Sequence, residues 1–385
     1  MNFSAIIPVH NGKALLEQTI LTLLRQTVAP TEIIVVDDGS TDGTSELLHQ
    51  LAQIYSNIIP TFLNENRGVS YARNLGVSHS TGNWCLFIDA DDLVDSLLLE
   101  KYIKHIHELE EQGSSIDMLF CAYEQIDEKN NKITSPSRFR QIDSYEYLGY
   151  LFYRNPIVST SGVAIKREVF QHLNGFNQEF TYSEDWDLWL RVAEKNVVSY
   201  IDEVLVQIRR HPNNTSRVIN NMQYGERLVL KQYTPDFIKK AIFQRGLSED
   251  QNRLDYVSIA YRLDLWDEGY NELNKVSKDS DSLYFYKGLY HLNRQDYKRA
   301  NDCFIITYQM NHNHLAALNN SACCLWMIGD EEQSVIILRK LVNEMPDYMD
   351  AVFNCKQLSR EPANKTIDLR YTWRELRKVL TVYQS

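Results

Sequence analysis

Three carboxylates crowd into the four residues that follow a buried, strand-like run in the first quarter of the chain. Asp89, Asp91 and Asp92 come directly after apolar residues that end at Ile88. Carboxylates this close repel one another and resist burial unless a cation or hydrogen bonds neutralise them. A divalent metal bound with a diphosphate would do so, because oxygen-rich clusters suit Mg²⁺ or Mn²⁺. The alternative is a solvated acidic turn, or a helix N-terminus where aspartate acts as a cap.

Two further polar clusters, residues 8–11 and 37–40, also follow strand-like runs. Apolar runs alternate with helical periodicity, which predicts strands at 5–9, 32–36, 58–63 and 84–88 and helices at 15–26, 44–55 and 68–78. This alternation is typical of a mostly parallel sheet covered by helices on both faces. Ligands of such sheets bind outside the carboxyl ends of the strands. We therefore expect all three polar clusters to lie at one edge of the sheet.

The length of the chain predicts two or three domains, and its composition is typical of a soluble globular protein. The 385 residues are 44% hydrophobic and carry a net charge of −11, which argues against nonspecific binding to nucleic acid. The six cysteines show neither zinc-type spacing nor a disulfide framework. Neither a signal region nor an apolar run long enough to cross a bilayer is present. We expect a reduced, cytoplasmic protein, with peripheral contact at the inner face of a membrane left open.

Beyond about residue 250 the pattern becomes all-helical and repeats. Three positions recur 34 residues later: Gly288 as Ala322, Asp296 as Asp330, and Ala300 as Ser334. This period, with small residues where helices cross, resembles tetratricopeptide repeats, whose curved surfaces hold peptides or partner proteins. A generic stack of helical hairpins is the alternative.

These patterns divide the chain into four segments. Residues 1–222 form the α/β domain, 223–249 a helical linker, 250–360 the helical repeats, and 361–385 a C-terminal amphipathic helix. That last helix either caps the repeats or lies on a membrane surface.

Four motifs between residues 3 and 215 resemble, in the right order, those of family 2 glycosyltransferases of the GT-A fold. They are residues 5–11, residues 34–42, residues 64–68 with 72–74, and residues 89–92. The resemblance implies a Rossmann-like, mostly parallel sheet flanked by helices, followed here by the all-α repeats. It also implies an inverting, metal-dependent transfer of a sugar from a nucleotide-sugar donor.

The resemblance assigns the strand ends to the donor. Asp38 would accept the imide N–H of uracil, which favours a UDP-sugar, and Arg73 would face the base or phosphates. A capped turn at Asp38 and an exposed helix charge at Arg73 are the alternatives. A dinucleotide site is disfavoured because no G-x-G-x-x-G follows the first strand, and a receiver-type acid pair would need a different strand order. The full set of donor residues is Pro8, Val9, His10, Asp38, Asn66, Arg67, Gly68, Arg73, Asp89 and Ala90.

The same resemblance makes Asp91 the direct ligand of Mn²⁺ or Mg²⁺ and Asp89 a ribose- or metal-proximal carboxylate. His211 would complete the metal shell, although a lone histidine is usually structural or solvated. The family often carries tyrosine where this chain has Ile208, and this departure argues against a stacking role for that position.

A second acidic motif, Glu184 with Asp185, resembles the family's catalytic pair, and it makes Asp185 the base that deprotonates the acceptor. The alternative is that both acids only favour a helix N-terminus, with Ser183 as its cap. Ser161, Gly162, Glu184 and Trp186 would contact the donor sugar or the acceptor. Trp186 and Trp189, three residues apart on one helix, are also typical of core packing.

The sequence leaves the acceptor open among a polysaccharide, a glycolipid precursor and a peptide or protein recruited by the repeats. The competing hypothesis is a noncatalytic scaffold that binds a nucleotide and a partner protein. The complete set of Asp89, Asp91 and Asp185 argues against a scaffold, which has no need of all three.

Overall fold

The two halves of the chain, which differ in periodicity, form two separate units divided between Arg245 and Gly246. The computed structural model describes residues 1–211, 219–358 and 368–373. The first unit holds an eight-stranded sheet, and the second is helical in its described part.

The first four long runs build the parallel half of the sheet. They form β1 (Phe3–Val9), β2 (Glu32–Asp37), β3 (Ile58–Phe62) and β4 (Trp84–Phe87). The helices between them are α1 (Lys13–Leu24), α2 (Thr44–Ile54) and α3 (Val69–His79). Every residue of β1, β2 and β4 is buried, as expected for strands covered on both faces. The predicted α/β architecture is confirmed.

The second half of the sheet brings later segments to the same edge. Its strands are β5 (Leu93–Val94), β6 (Met118–Ile126), β7 (Val163–Lys166) and β8 (Val198–Arg209), and the full order is β3-β2-β1-β4-β7-β6-β8-β5. β7 is antiparallel to both β4 and β6, and β8 is parallel to β6. The start of β7 and the end of β8 therefore lie at the edge where β1, β2 and β4 end.

Helices α4 (Leu98–Glu111), α5 (Tyr147–Tyr153), α6 (Arg167–His172) and α7 (Glu184–Lys195) connect these strands. Helices α8 (Ile219–Leu230) and α9 (Pro235–Phe243) follow β8. α9 contacts α5, and its Ile238 and Ile242 are fully buried. The stretch predicted as a linker, 223–249, is thus helical but belongs largely to the first unit, because its apolar face covers α5.

The second unit contains α10 (Glu249–Arg262), α11 (Trp266–Leu273), α12 (Asp281–Asn293), α13 (Tyr297–Met310), α14 (Leu315–Met327), α15 (Glu331–Glu344) and α16 (Met349–Leu358). The recurring residues have clear local roles. Asp296 and Asp330 cap α13 and α15 by accepting a backbone N–H through their side chains. A side chain at Gly288 would meet Phe304 at 2.6 Å, so this close helix contact requires glycine. The all-helical C-terminal region is confirmed.

The described part of the predicted C-terminal helix, residues 368–373, is not helical. Residues 359–367 and 374–385 lie outside the described residues, so the rest of that prediction is untested. Across the described residues, no helix is both long enough and apolar enough to cross a membrane.

Candidate functional site

The carboxyl ends of β1 and β2 are joined at the site by a hydrogen bond. His10 Nδ1 donates to the carbonyl of Asp38 at 2.8 Å, and this bond fixes the proton on Nδ1. Pro8 and Val9 are buried within β1, whereas His10 is exposed. Of these three predicted donor residues, His10 therefore presents its side chain at the edge.

The Asp38 carboxylate holds the loop that precedes α3. Its two oxygens accept the backbone N–H groups of Arg67 at 2.7 Å and Gly68 at 2.8 Å, and Asp38 is only 3% exposed. The Asn66 side chain also accepts from Gly68 N at 3.0 Å. The Arg67 guanidinium lies 3.7 Å above the ring of Tyr71. The four predicted residues at 38 and 66–68 thus form one loop cluster, and its contact with a base stays a prediction.

Arg73 joins the two acidic motifs. Its guanidinium donates to Asp89 Oδ1 at 2.8 Å and to Glu184 Oε1 at 3.0 Å. The side chain is buried and lies 5.1 Å from the ring of Phe176. Asp89 and Glu184, which are 95 positions apart in the chain, therefore pair with the same guanidinium. The alternative that Arg73 is only an exposed charge on a helix is excluded, because its side chain is buried. Its contact with phosphate stays a prediction.

Asp89 sits among hydroxyl groups as well as beside Arg73. Thr160 Oγ1 donates to its Oδ1 at 2.8 Å, and Ser159 Oγ donates to its Oδ2 at 3.1 Å. Burial alone would raise the pKa of Asp89, but the charge of Arg73 and these hydroxyls hold it below its ordinary value. The carboxylate is therefore kept ionised by protein donors.

Asp92 fastens the acidic turn to its neighbours. Its Oδ1 accepts the backbone N–H of Arg209 at 2.8 Å, and its Oδ2 accepts the hydroxyl of Ser161. Burial and the charges of Asp91 and Asp89 raise its pKa well above the ordinary value. Ser161 Oγ also accepts Asp89 N at 2.9 Å. Ser161 thus positions the acidic turn, and this is the only role its described contacts give it.

Gly162 lets β7 start beside that turn. Its φ is +83°, and a side chain there would meet Val206 Cγ2 at 2.5 Å. Gly162 is buried, so it contributes the shape of this edge. Ala90 lies within the turn itself, where its carbonyl accepts the hydroxyl of Thr19 at 2.9 Å.

Arg209 is a positioning residue whose part in holding the acidic turn the sequence did not reveal. It is fully buried, and its Nε donates to the carbonyl of Asp91 at 2.8 Å. Its other donors reach the carbonyls of Asp127 and Glu128 and the side chain of Asn130. An arginine at the end of an apolar strand was the available signal, since a buried charge requires partners.

Asp91 and His211 form the pair that could hold a metal ion. His211 Nε2 lies 2.8 Å from Asp91 Oδ2 at the exit of β8. Across residues 1–211, 219–358 and 368–373, no group of three or more histidine, cysteine or acidic side chains is arranged as a metal site. A carboxylate and an imidazole nevertheless fit Mg²⁺ or Mn²⁺, which take one or two protein ligands when phosphate oxygens and water supply the others. The oxygens of Asp89 are already bonded to Arg73, Thr160 and Ser159, so Asp89 fits a metal less well.

Asp185 stands in the first turn of α7, beside Glu184. Burial and the charge of Glu184 raise its pKa to about 7, while Trp186 N and Arg73 act in the opposite direction. Its Oδ1 accepts Trp186 N at 2.7 Å. A carboxylate with a pKa near neutrality matches the requirement for a general base.

The start of α7 differs from the predicted cap. Ser183 is at the N-cap position, but its φ is +62° and its side chain makes no capping hydrogen bond. Within the described residues its hydroxyl has no hydrogen-bond partner.

Trp186 and Trp189 are core residues. Trp186 is 4% exposed and donates its indole N–H to the carbonyl of Leu151 at 2.8 Å, and Trp189 is fully buried. A buried ring has no face for a sugar, so we withdraw Trp186 from the sugar site.

Known glycosyltransferases resemble this chain in sequence and in fold. Residues 4–173 match the model of the family described as glycosyl transferase family 2. An uncharacterized glycosyltransferase of Rickettsia typhi is 28% identical over 58% of this chain and 69% of its own length. One of Rickettsia bellii is 30% identical over 59% of this chain, which spans only 31% of that longer relative.

The fold is also similar to solved structures of TarS from S. aureus. TarS 1-349 gives a TM-score of 0.52 at 17% identity, covering 82% of this chain and 93% of that one. The same TarS fragment in complex with UDP-GlcNAc gives 0.52 at 18% identity, covering 79% and 83%.

Proposed function

We propose that this chain, whose residues 4–173 form a family 2 glycosyltransferase domain, transfers a sugar from a UDP-sugar to an acceptor with inversion at the anomeric carbon. The observation that carries the proposal is the meeting of the two acidic motifs at Arg73, with Asp185 beside them at a pKa of about 7. This arrangement supplies an ionised cluster for the donor and a separate carboxylate for the acceptor.

Asp185 acts as the general base. It accepts the proton of the acceptor nucleophile as that atom forms a bond to the anomeric carbon, on the face opposite the leaving group. The anomeric C–O bond breaks, and the nucleoside diphosphate departs with the electron pair. Arg73 pairs with both Asp89 and Glu184 and holds them in place, and it keeps Asp89 ionised. Asp185 takes up the proton.

Asp91 and His211 would hold Mn²⁺ or Mg²⁺, with Asp89 a weaker candidate for the same shell. When bound, the ion supplies positive charge that stabilises the departing diphosphate.

The loop cluster of Asp38 and residues 66–68 would bind the nucleotide, with His10 and Arg73 close to the ribose or phosphates. Each Asp38 oxygen accepts one backbone N–H and retains a lone pair for the imide of uracil. The complex of the similarly folded TarS with UDP-GlcNAc supports a UDP-sugar donor.

The acceptor would be a polysaccharide, a glycolipid precursor, or a peptide or protein recruited by the helical repeats. We place the reaction in the cytoplasm, in solution or at the inner face of the membrane.

The test is hydrolysis and transfer with a panel of nucleotide sugars, in Mn²⁺ and in EDTA. We expect turnover with a UDP-sugar, loss of turnover in EDTA, and loss of metal-dependent turnover in Asp91→Ala. Glu203→Ala, which removes an exposed acid that pairs with Lys101, is the control expected to remain active. Full activity in EDTA would contradict the metal, and binding to no nucleotide sugar would favour the scaffold.

A further inference from the structure

Residues 368–373, here called the internal segment, lie across the buried faces of α14 and α16 in the second unit. Side chains of these two helices form hydrogen bonds with the backbone N–H and C=O groups of two alternate residues, Arg370 and Thr372. Alternate residues of an extended chain direct these groups to the same side, as at the edge of a β-sheet. The helices here take the place of a neighbouring strand.

Two asparagines make this contact in the same way. Asn320 accepts Thr372 N at 2.7 Å and donates to Thr372 O at 2.9 Å. Asn354 accepts Arg370 N at 2.7 Å and donates to Arg370 O at 2.8 Å. A side-chain amide carries the same kinds of donor and acceptor as a peptide group. Each asparagine can therefore bind the backbone of a residue regardless of that residue's side chain.

Asn320 and Asn354 are 34 residues apart and occupy equivalent positions in successive repeats. Moving from one repeat to the next therefore corresponds to moving two residues along the bound segment, from Thr372 to Arg370. Asn319 adds a bond to Arg370 O at 3.1 Å. All three asparagines are fully buried in helices, where asparagine is a poor helix former and needs polar partners. Their side chains form a built site for a polypeptide backbone.

The same groove recognises a hydroxyl group. Thr372 Oγ1 donates to Asp350 Oδ2 at 2.7 Å, lies 3.3 Å from Asn319 Nδ2, and also bonds the hydroxyl of Tyr348. These contacts use its one donor and both of its lone pairs. Thr372 is 5% exposed, so the pocket accommodates a small hydroxyl side chain.

Aromatic contacts flank this pocket. Tyr371 packs against the apolar core of the repeats, and Trp373 meets Trp266 edge-on at 5.8 Å although it is 48% exposed. The Arg370 guanidinium lies 3.8 Å above the ring of Phe353. The groove thus fits a short stretch with a hydroxyl residue between two aromatic residues.

We propose that the groove of Asn319, Asn320 and Asn354 is a binding site for an extended segment of a partner polypeptide that carries threonine or serine between aromatic residues. The internal segment occupies this site as an internal ligand that the partner displaces. This proposal does not depend on the transferase activity, because its readout is binding alone.

The test uses the full chain and a fluorescent peptide with the sequence of residues 368–373. Thr372→Pro removes both the N–H that Asn320 accepts and the hydroxyl, so it should release the internal segment. We expect the peptide to bind Thr372→Pro at least tenfold more tightly than the wild-type chain. Adding Asn320→Ala should weaken that binding at least tenfold, and so should a peptide with valine in place of threonine.

Asn301→Ala is the matched control. Asn301 is a buried asparagine of α13 that accepts the hydroxyl of Ser321 at 2.7 Å. Added to Thr372→Pro, it should leave peptide binding unchanged.

The proposal is overturned if folded Thr372→Pro, checked by thermal melting, does not bind the peptide. Equal binding with and without Asn320→Ala would overturn it as well. Should Thr372→Pro fail to fold, Thr372→Ala repeats the comparison. Unfolding of both variants would show that the segment is a fixed part of the fold and would also overturn the proposal.

Discussion

Asp185 couples chemistry to stability within one side chain. Its pKa is raised to about 7 by burial and by Glu184, so the folded protein holds this proton more tightly than the unfolded chain does. The contribution of Asp185 to the free energy of unfolding is therefore intact below its ordinary pKa of 3.8 and declines as the pH rises towards 7. At pH 8 the protein carries a charge on the half-buried Asp185, which destabilises it.

Replacing Asp185 with asparagine should inactivate the enzyme and yet stabilise it at high pH. The amide resembles the protonated carboxyl and stays neutral. We expect Asp185→Asn to melt several degrees above the wild type at pH 8, since about 1 kcal/mol shifts the Tm of a domain of this size by roughly 2–4 °C. The difference should shrink at pH 4. Thermal melting at both pH values measures it.

The control is Glu194→Gln, which removes an exposed carboxylate from the same helix. Its Tm difference from the wild type should be the same at both pH values. An Asp185→Asn protein that is no more stable than the wild type at pH 8 would contradict the raised pKa.

Residue types at this site could be predicted from the sequence, but not their partners. The order of the motifs made Asp89, Asp91 and Asp185 candidate site residues. The sharing of Arg73 between Asp89 and Glu184 was not predictable, because it depends on side chains 16 and 111 positions away along the chain. The burial of Trp186 depended in the same way on α5, which supplies the carbonyl of Leu151.

At the scale of elements, the turn after β4 is held by the start of β7 and the end of β8. Ser161 and the backbone of Arg209 both bond to Asp92. Gly162 allows β7 to begin at that point, with a φ of +83° and Val206 2.5 Å from any added side chain. The geometry of the acidic turn therefore depends on this glycine.

Gly162→Ala should destabilise the first unit and reduce donor turnover, because alanine adds both backbone strain and a clash with Val206. Gly113→Ala separates the two effects: Gly113 has a φ of +79° and nothing within 4 Å of an added side chain. An alanine in the left-handed backbone conformation lowers the free energy of unfolding by about 1–2 kcal/mol. Gly113→Ala should show that loss alone. Urea unfolding and donor turnover of both variants measure the difference. Equal losses in the two variants would contradict a role for the Val206 contact.

The elements of the first 90 residues were predictable to within one or two residues at nearly every boundary, because continuous apolar runs alternate with amphipathic helices. The pairing of β6, β7 and β8 was not predictable. Between residues 115 and 160 that alternation stops, and β7 joins the sheet antiparallel to β4.

At the scale of the whole molecule, the position of the unit boundary has a measurable consequence. A chain cut after Arg245 retains α8 and α9, whereas one cut after residue 222 loses Val229, Leu230, Ile238 and Ile242, all fully buried. Each of these side chains contributes about 1.5–3 kcal/mol when buried. We expect the first chain to melt cooperatively and the second to be unfolded or strongly destabilised.

Circular dichroism melting of both shortened chains tests this boundary, with the full chain as the reference. Equal stability of the two would show that residues 223–245 are a linker after all.

The period of the second unit was predictable, since Asp296 and Asp330 mark equivalent helix caps. The asparagine groove of this unit was not predictable. Asn320 bonds to Thr372, 52 residues further along the chain, and no local sequence pattern indicates that contact.

The most direct test of the central claim is the pH dependence of kcat/KM for the nucleotide sugar that the donor panel identifies, compared between the wild type and Asp185→Asn. With Asp185 as the base, the wild-type value should rise tenfold per pH unit below about 7 and level off above it. Asp185→Asn should lower the value by about 10²–10⁴-fold and remove the inflection. Wild-type activity in Asp185→Asn, or an inflection that persists without the carboxylate, would contradict the account.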